Sequence, residues 1–203
     1  MSRLHLPCWR IATGAGTIKM DVSVVVELGV WQGKWIGNLL RISPGDYTVY
    51  AVDSWPEQGS GMSGAAGPAA AAKVCFEKNF RTWIEAGRVE IMHMATVPAA
   101  QAFRTRLSCG PIDILHIDAN HARADVLADM RAWIPLVRNC GLIIGHDYLG
   151  HKQSRDVQGA VRDYFDIPPP IEVGGVIKNE RILSFFFRKE TQYGEQAQGA
   201  RRL

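Results

Sequence analysis

The chain has 203 residues, a length that suits one domain with a buried core or two very small domains. Hydrophobic residues make up 47% of the chain and charged residues 21%, which excludes wholesale disorder. No apolar run approaches the ~18 residues of a membrane span, and the net charge of +3 comes without a basic stripe, so the composition argues against a membrane or nucleic-acid partner.

Short apolar runs alternate with helical patterns along most of the chain. This alternation is typical of parallel βαβ units whose sheet is covered on both faces. Within the last helix of this part, Pro135 predicts a kink or an early end. The patterns predict strands at 23–27, 48–53, 89–93, 112–118 and 142–147, with helices at 34–41, 70–86, 99–107 and 124–137 between them.

The pattern changes after Asp147. A predicted helix at 156–165 is followed by three prolines at 168–170, which require a turn. Two further strands are predicted at 171–177 and 181–188, and they are close enough in sequence to form a hairpin. The sheet is therefore predicted to end with an antiparallel strand.

One domain accounts for most of the chain. We predict an α/β domain over 21–188, preceded by an N-terminal extension at 1–20 and followed by a polar, disordered tail at 189–203. Within the domain, the Gly-rich stretch 58–69 predicts a mobile loop or lid. The N-terminal residues lack the continuous apolar core of a signal peptide, which predicts a cytoplasmic protein.

Four of the first five predicted strands end in a carboxylate. The carboxyl ends of parallel strands form the ligand-binding crevice of an open sheet, so we expect these acids to lie close together. Clustered acids repel one another, and they need hydroxyl donors, a cation or a metal as a partner. The four acids are Glu27, Asp53, Asp118 and Asp147.

The turn after the first strand has the pattern Glu-x-Gly-x-x-x-Gly, from Glu27 to Gly33. Glycine lets the backbone approach a ligand closely, and the helix that follows offers its N-terminus. The spacing differs from the Gly-x-Gly-x-x-Gly of nicotinamide-dependent enzymes, which disfavours an oxidoreductase. Asp53 follows at the end of the second strand, where an α/β nucleotide site binds ribose hydroxyls.

These motifs resemble those of the class I S-adenosylmethionine-dependent methyltransferases. VVVELGVWQGKW is similar to their first motif and VYAVDSW to their second. The segment from IDILHID to GHDY resembles the fourth and fifth strands of the small-molecule O-methyltransferase branch, which contains catechol-type and sugar-type enzymes. The resemblance runs from Val24 to Phe187 and implies a single doubly wound, Rossmann-like domain. Its sheet would have seven strands, mostly parallel, with an antiparallel C-terminal strand.

The resemblance also implies that the chain uses S-adenosylmethionine to methylate a hydroxyl of a small molecule by in-line displacement. It assigns Glu27, Gly29 and Gly33 to the amino-acid end of the cofactor and Asp53 to its ribose. The segment after the third strand would contact adenine. The residues of that segment are Met94, Ala95 and Thr96, and Asp118 completes the set assigned to the cofactor.

In the metal-dependent part of this branch, carboxylates at the ends of the fourth and fifth strands bind a divalent cation. Asp118 and Asp147 occupy those positions, and an oxygen-lined site suits Mg²⁺ or Mn²⁺. The family's common third ligand is an Asn directly after the second Asp, where this chain has Tyr148. The alternative is that the two carboxylates bind substrate hydroxyls or a histidine directly.

Three histidines lie close to these acids in the sequence. His121 stands where catechol-type relatives carry a basic residue near the acceptor hydroxyl, so the resemblance makes it a catalytic base acting with Asp118. Its position inside a strand predicts that His116 is a core histidine. The alternation of side chains along a strand predicts that His146 points away from Asp147, to the opposite face.

Three other functions remain open. The chain could keep the fold as a non-catalytic partner protein, and the departures at Tyr148 and at the Asn139-Cys140-Gly141 turn leave room for this. The other two are metal-independent methyl transfer, on oxygen or nitrogen, and a nicotinamide-dependent oxidoreductase. The N-terminus is short for this branch, so the resemblance leads us to expect that part of the cover over the small-molecule acceptor is absent or is supplied by a second subunit of a homo-oligomer.

Overall fold

The computed structural model describes residues 8–13, 16–43, 45–56, 69–106, 110–149, 152–165, 172–174 and 183–188. These residues form nine strands, five α-helices and a 3₁₀ turn at Ile134–Leu136. In chain order the elements are β1 (Cys8–Thr13), β2 (Gly16–Asp21), β3 (Val24–Leu28), α1 (Lys34–Ile42), β4 (Thr48–Asp53), α2 (Ala69–Glu85), β5 (Val89–His93), α3 (Thr96–Thr105), β6 (Ile112–Ile117), α4 (Arg123–Trp133), β7 (Val137–Leu149), α5 (Ser154–Tyr164), β8 (Glu172–Gly174) and β9 (Leu183–Arg188).

Five neighbouring strands form a parallel sheet in the order β5-β4-β3-β6-β7. This confirms the predicted α/β fold with a parallel sheet. β9 pairs antiparallel with β7, and β8 pairs antiparallel with β9 at the edge. The strand order reverses between β3 and β6, because β4 and β5 lie on one side of β3 and all later strands lie on the other. At such a switch point the turns that follow the two adjacent strands lead to opposite faces of the sheet, and a crevice opens between them at the carboxyl ends of the strands.

Helices cover both faces of the sheet, as expected for strands that are apolar along their length. α1 and α2 pack on one face, where Ile36 and Phe76 belong to the same apolar cluster as Val25 of β3. α3, α4 and α5 pack on the other face, where Met130 shares a second cluster with Val26. All five residues of β3 are buried, so this strand lies at the centre of the domain.

Prolines lie at the end of α4 and in the first turn of α3. α4 stops at Trp133, and Pro135 lies in the 3₁₀ turn that leads into β7, which confirms the predicted early end. α3 begins at Thr96, three residues before the predicted start, and therefore contains Pro98 in its first turn. A proline is tolerated in the first turn, where the missing N–H has no partner within the helix.

The predicted N-terminal extension contains two strands that the sequence pattern did not predict. β1 and β2 pair antiparallel, in register from Cys8 opposite Asp21 to Thr13 opposite Gly16, and form a separate two-stranded sheet. Each strand has only six residues, CWRIAT and GTIKMD. A mixed pattern of this length is hard to distinguish from a loop.

Several predicted features lie outside the described residues. They are most of the Gly-rich stretch 58–69, whose last residue begins α2, the proline run 168–170 and the tail 189–203. Among the helices that are described, none is both long and apolar enough to cross a membrane.

A buried carboxylate links three strands at the amino end of the sheet. Asp113, near the start of β6, accepts hydrogen bonds from the backbone N–H groups of Ser23 at 2.7 Å and Val24 at 2.9 Å. The guanidinium of Arg138 donates to the other carboxylate oxygen and reaches the carbonyl of Asp21 at 3.1 Å. These bonds hold the start of β3 against β6 and β7, at the end of the sheet opposite the crevice.

Candidate functional site

Two glycines let the turn after β3 pack closely against its neighbours. Gly29 has a φ of 82°, and a Cβ atom there would lie 2.2 Å from the carbonyl oxygen of Asp118, in the turn after β6. Gly33 has a φ of 81°, and a Cβ atom there would lie 2.3 Å from the ring of Phe80 in α2. Both positions therefore require glycine for packing alone, and Gly29 brings the ends of β3 and β6 into contact.

Glu27, one residue before the end of β3, is enclosed, with a relative exposure of 2%. One of its carboxylate oxygens lies 3.1 Å from Nδ1 of His116, the residue that pairs with Glu27 on the neighbouring strand β6. The other oxygen, Oε2, is buried and has no hydrogen-bond partner among the described residues. Burial raises the pKa of Glu27 to about 7, against the effect of His116, which lowers it. A buried oxygen without a partner is costly, so it indicates a place for a ligand's hydrogen-bond donor.

Replacing Glu27 with Gln should change how stability depends on pH. An acid whose pKa rises from 4.5 to about 7 on folding binds more protons in the folded state between those values. The wild-type free energy of unfolding therefore falls as pH rises through this range, whereas Gln does not titrate. Between about pH 5 and about pH 8, we expect the stability of Glu27→Gln relative to wild type to rise by on the order of 2 kcal/mol, measured by urea denaturation.

The matched control is Glu90→Gln, which removes an exposed carboxylate from β5. Its free energy of unfolding should keep a constant difference from wild type across the same pH range. A constant difference for Glu27→Gln as well would mean that the buried glutamate titrates with an ordinary pKa, and the indication of a ligand position at Oε2 would then be lost.

Asp53, at the end of β4, joins two turns of the crevice. Its Oδ2 accepts a hydrogen bond from the backbone N–H of Trp31 and its Oδ1 accepts one from that of Trp55, both at 2.8 Å. The indole of Trp55 is buried and donates to the carbonyl of Trp31 at 2.9 Å, so this tryptophan belongs to the core. Asp53 is half-buried, and each carboxylate oxygen keeps a lone pair for a further donor, such as a ribose hydroxyl.

The segment predicted to contact adenine contains exposed and packed residues. Met94 and Ala95 are exposed beyond the end of β5. Thr96 begins α3, and its hydroxyl donates a hydrogen bond to the buried carboxyl of Asp129 in α4, while its carbonyl accepts one from Trp133 at 2.9 Å. Burial raises the pKa of Asp129 to about 6. Thr96 therefore fastens α3 to α4, and its two predecessors present their side chains to solvent.

Two aspartates and two histidines meet at the carboxyl ends of β6 and β7. Nε2 of His121 lies 3.0 Å from Oδ2 of Asp147 and 3.3 Å from Oδ1 of Asp118. Nδ1 of His146 lies 2.9 Å from Oδ1 of Asp147 and 3.3 Å from Oδ1 of Asp118. One ligand atom from each residue lies within 4.8 Å of the other three. We call these four residues the Asp–His cluster.

The prediction that His146 points away from Asp147 is wrong. Consecutive residues of a regular strand face opposite sides, but Asp147 has a φ of 57°, in the left-handed region. The pairing of β7 with β9 also shifts register between Gly145 and Leu149. This break in the strand turns both side chains into the cluster.

Charges balance within the Asp–His cluster. Burial alone would lower the pKa of both histidines, but contacts with Asp118 and Asp147 raise the pKa of His121 to about 9 and that of His146 to about 10. Against the effect of burial, the same contacts hold the pKa of each aspartate below its ordinary value. At neutral pH the cluster therefore contains two imidazolium ions and two carboxylates.

His116 connects Glu27 with the cluster. It is buried in β6, as predicted for a core histidine, and its ring stacks on that of Trp35 with 4.3 Å between ring centres. The ring of His146 lies edge-on at 6.4 Å. Ligand atoms of Glu27, His116 and Asp118 lie within 4.8 Å of one another. The glutamate expected at the cofactor and the aspartate expected at the acceptor are therefore parts of one continuous polar site.

Tyr148 occupies the position at which the resemblance implies a third metal ligand. Its side chain packs against the apolar cluster that contains residues of α4 and α5. Its carbonyl accepts a hydrogen bond from the side chain of Gln158 in α5 at 2.8 Å. Tyr148 is thus held from two sides, with its partly buried side chain against the apolar core.

A small pocket lies beside the cluster, between β6, β7 and the helices α4 and α5. Its polar lining comes from Asn120, His121 and His146, and its apolar lining includes Ile117, Val126 and Val157. It has room for about one water molecule, which would contact two members of the Asp–His cluster.

The predicted site residues fall into two groups along one edge of the sheet. Glu27, Asp118, His121 and Asp147 lie in the continuous polar site. Asp53 and the segment 94–96 lie at the ends of β4 and β5, further along the same edge. The contact of His116 with Glu27 and the direction of His146 were not predicted, although in HID and GHD each histidine stands near a strand-end acid.

Solved structures of other methyltransferases share this fold. The rRNA methylase from Streptococcus thermophilus is 14% identical, with a TM-score of 0.55 over 84% of this chain and 89% of that one. The TDP-rhamnose 3′-O-methyltransferase CalS11 is 13% identical, with a TM-score of 0.57 over 82% of this chain and 72% of that one. The O-methyltransferase NovP is 21% identical, with a TM-score of 0.50 over 83% of this chain and 72% of that one. At these identities the similarity shows the fold alone.

Residues 26–148 match the family described as Methyltransferase domain, and this match covers more than half of the chain. The chain belongs to that family. A comparison with curated proteins gave no match. S-adenosylmethionine is the cofactor of the family, so fold and family together define an S-adenosylmethionine-dependent methyltransferase.

Proposed function

We propose that this methyltransferase transfers the methyl group of S-adenosylmethionine to a hydroxyl of a small molecule. The hydroxyl oxygen would attack the methyl carbon in line with the carbon–sulfur bond, which breaks to leave S-adenosylhomocysteine, while the hydroxyl proton passes to a base. The observation that carries the proposal is the Asp–His cluster in contact with the glycine turn. A hydroxyl must lose a proton to be methylated, and carboxylates and imidazoles are the side chains that bind it and move that proton.

On the cofactor side, Glu27 would receive the ammonium group of the amino-acid end. Its buried Oε2 lacks a partner among the described residues, and a charged donor would satisfy it. Gly29 and Gly33 would let the backbone of the turn approach the same end of the cofactor. Asp53 would accept hydrogen bonds from the ribose hydroxyls. The segment Met94, Ala95 and Thr96 would lie along adenine.

On the acceptor side, Asp118 and His121 would bind the hydroxyl and take its proton. In the geometry described, the imidazole of His121 already holds a proton, because two carboxylates raise its pKa to about 9 despite burial. It can act as a base only after that proton has left. Asp118 and Asp147 could hold a divalent cation, since the donor atoms of the cluster lie close enough together for one ion. A bound cation would lower the pKa of the acceptor hydroxyl.

Isothermal calorimetry with S-adenosylhomocysteine tests the cofactor side, with NAD⁺ as the control ligand. We expect S-adenosylhomocysteine to bind with micromolar affinity and NAD⁺ not to bind, because the glycine spacing that cradles a pyrophosphate is absent. Glu27→Gln should weaken binding about tenfold or more, since a charge-assisted hydrogen bond contributes about 1.5–3 kcal/mol, while Glu90→Gln should not. Binding of NAD⁺ in place of S-adenosylhomocysteine would contradict the proposal.

Turnover tests the acceptor side. Methyl transfer from labelled S-adenosylmethionine is measured with a panel of hydroxyl-bearing small molecules, including catechols and sugar nucleotides, and with rRNA. We expect transfer to a small molecule, and a loss of about 10²-fold or more in His121→Ala with unchanged S-adenosylhomocysteine binding. Transfer to rRNA alone would replace the proposed acceptor class. Cofactor binding without any transfer would favour a non-catalytic protein that keeps the fold.

A further inference from the structure

We infer that Asp118, His121, His146 and Asp147 bind a divalent first-row transition-metal ion, with both imidazole nitrogens as ligands, in preference to Mg²⁺. The inference rests on the proposed function for the place of the ion, beside the acceptor hydroxyl. It goes beyond the family resemblance, which assigns only the two carboxylates and leaves Mg²⁺ and Mn²⁺ as equal alternatives.

Both imidazoles are directed at the space between the two carboxylates. Nε2 of His121 and Nδ1 of His146 each lie within 3.3 Å of an oxygen of both aspartates. All four donor atoms lie within 4.8 Å of one another. Ligands bound at ~2.0–2.2 Å from one centre are about 3–4 Å apart, so small movements of these side chains would enclose a single ion. The ion would replace the protons that the two nitrogens share with the carboxylates, and these protons would be released to solvent.

The histidines compensate for a missing oxygen ligand. The side chain of Tyr148, where the resemblance implies a third ligand, is partly buried and packs against the apolar core. One residue earlier, the left-handed backbone of Asp147 turns the imidazole of His146 toward both carboxylates. His121 reaches the same oxygens from the turn after β6. The chain therefore offers two nitrogen donors where relatives offer one more oxygen.

The donor set decides the class of ion. Mg²⁺ is held by oxygen ligands and keeps several waters, whereas imidazole suits the later first-row ions such as Fe²⁺, Ni²⁺ and Zn²⁺. Mn²⁺ also favours oxygen, but as a first-row transition-metal ion it gains more from two imidazole ligands than Mg²⁺ does. Exposure is unequal within the cluster: 5% for the side chain of Asp147, but 27% for that of Asp118. An ion held here would be enclosed on one side and accessible on the other, where an acceptor oxygen could approach.

Binding of Mn²⁺ to the full chain, without cofactor or acceptor, tests the inference. The protein is titrated with Mn²⁺ and with Mg²⁺ by calorimetry, and bound Mn²⁺ is then examined by electron spin echo envelope modulation. We expect one Mn²⁺ per chain, affinity for Mn²⁺ at least about tenfold higher than for Mg²⁺, and modulation from two imidazole nitrogens.

Histidine variants identify the ligands. His146→Ala and His121→Ala should each weaken Mn²⁺ binding about tenfold or more and each remove one nitrogen coupling. The matched control is His93→Ala, which removes an exposed histidine that contacts the carbonyl of Ser54 at 3.0 Å, and it should change neither result. Thermal melting shows whether each variant folds. Where an alanine variant does not fold, the corresponding Gln variant is used, and the wild-type nitrogen couplings remain a test by themselves.

Two outcomes would overturn the inference. Equal affinities for Mg²⁺ and Mn²⁺, with no nitrogen modulation, would mean that only the carboxylates bind the ion. No binding of either ion would mean that the Asp–His cluster is a self-contained network of ion pairs. Neither outcome bears on S-adenosylhomocysteine binding or methyl transfer, so a failure of this inference is distinguishable from a failure of the proposed function.

Discussion

Gly29→Ala should abolish S-adenosylhomocysteine binding and lower the free energy of unfolding by about 2–5 kcal/mol, from the sum of backbone strain and overpacking. The new Cβ would lie 2.2 Å from the carbonyl oxygen of Asp118 and 2.5 Å from Cα of Ala119. Both are backbone atoms, so no side chain can move aside. The turns after β3 and β6 would have to separate, which would displace Glu27 from the polar site. Urea denaturation and calorimetry measure the two effects.

Gly87→Ala is the matched control for this substitution. Gly87 also has a left-handed backbone, with a φ of 68°, but a Cβ atom there would meet nothing within 4 Å. It should cost about 1–2 kcal/mol, from backbone strain alone, and leave ligand binding intact. Normal binding by Gly29→Ala would show that the contact between the two turns does not shape the cofactor site.

Asp113→Ala should lower the free energy of unfolding by about 3 kcal/mol. The substitution leaves the N–H groups of Ser23 and Val24 without their acceptor and the guanidinium of Arg138 without its carboxylate. We expect less than for a fully buried ion pair, because the side chain of Arg138 is 30% exposed and solvent screens part of the interaction. Folded protein should bind S-adenosylhomocysteine normally, since Asp113 lies at the opposite end of the sheet. Denaturation and calorimetry measure both quantities.

The comparison for Asp113 is Glu90→Ala, which removes the carboxylate of an exposed ion pair with Arg106. Exposed pairs contribute little, so this variant should lose less than about 1 kcal/mol. A similarly small loss for Asp113→Ala would mean that the hydrogen bonds of Asp113 contribute little to the stability of the amino end of the sheet. A loss of ligand affinity in the folded variant would mean that the two ends of β6 are coupled.

The parallel part of the sheet could be predicted because its strands carry a local signal. β4 and β5 run over 48–53 and 89–93, as their apolar runs predicted. Each is a short apolar segment bounded by helical periodicity, and burial on both faces makes that pattern continuous. The strand-end acids were equally visible, since a carboxylate after an apolar run stands out in a sequence. Topology then places Glu27, Asp118 and Asp147 at one edge.

The remaining features depend on torsion angles and on contacts between distant residues. The direction of His146 depends on one positive φ at Asp147, which the letters GHDY do not specify. Nothing in the sequence marks Asp113 as a buried acceptor, because its partners precede it by about ninety positions and become visible only when β3 pairs with β6. The involvement of Asp53 with Trp31 and Trp55 likewise requires two turns to be in place.

The left-handed backbone at Asp147 also limits which residues evolution can place there. Aspartate, asparagine and glycine adopt this conformation most readily, while β-branched and bulky residues are strained in it. Among these three, aspartate alone carries a charge. A single substitution to asparagine would therefore keep the shape of the β7 end and remove its charge, so descendants of this chain could lose the chemistry of the Asp–His cluster while the fold around it stays intact.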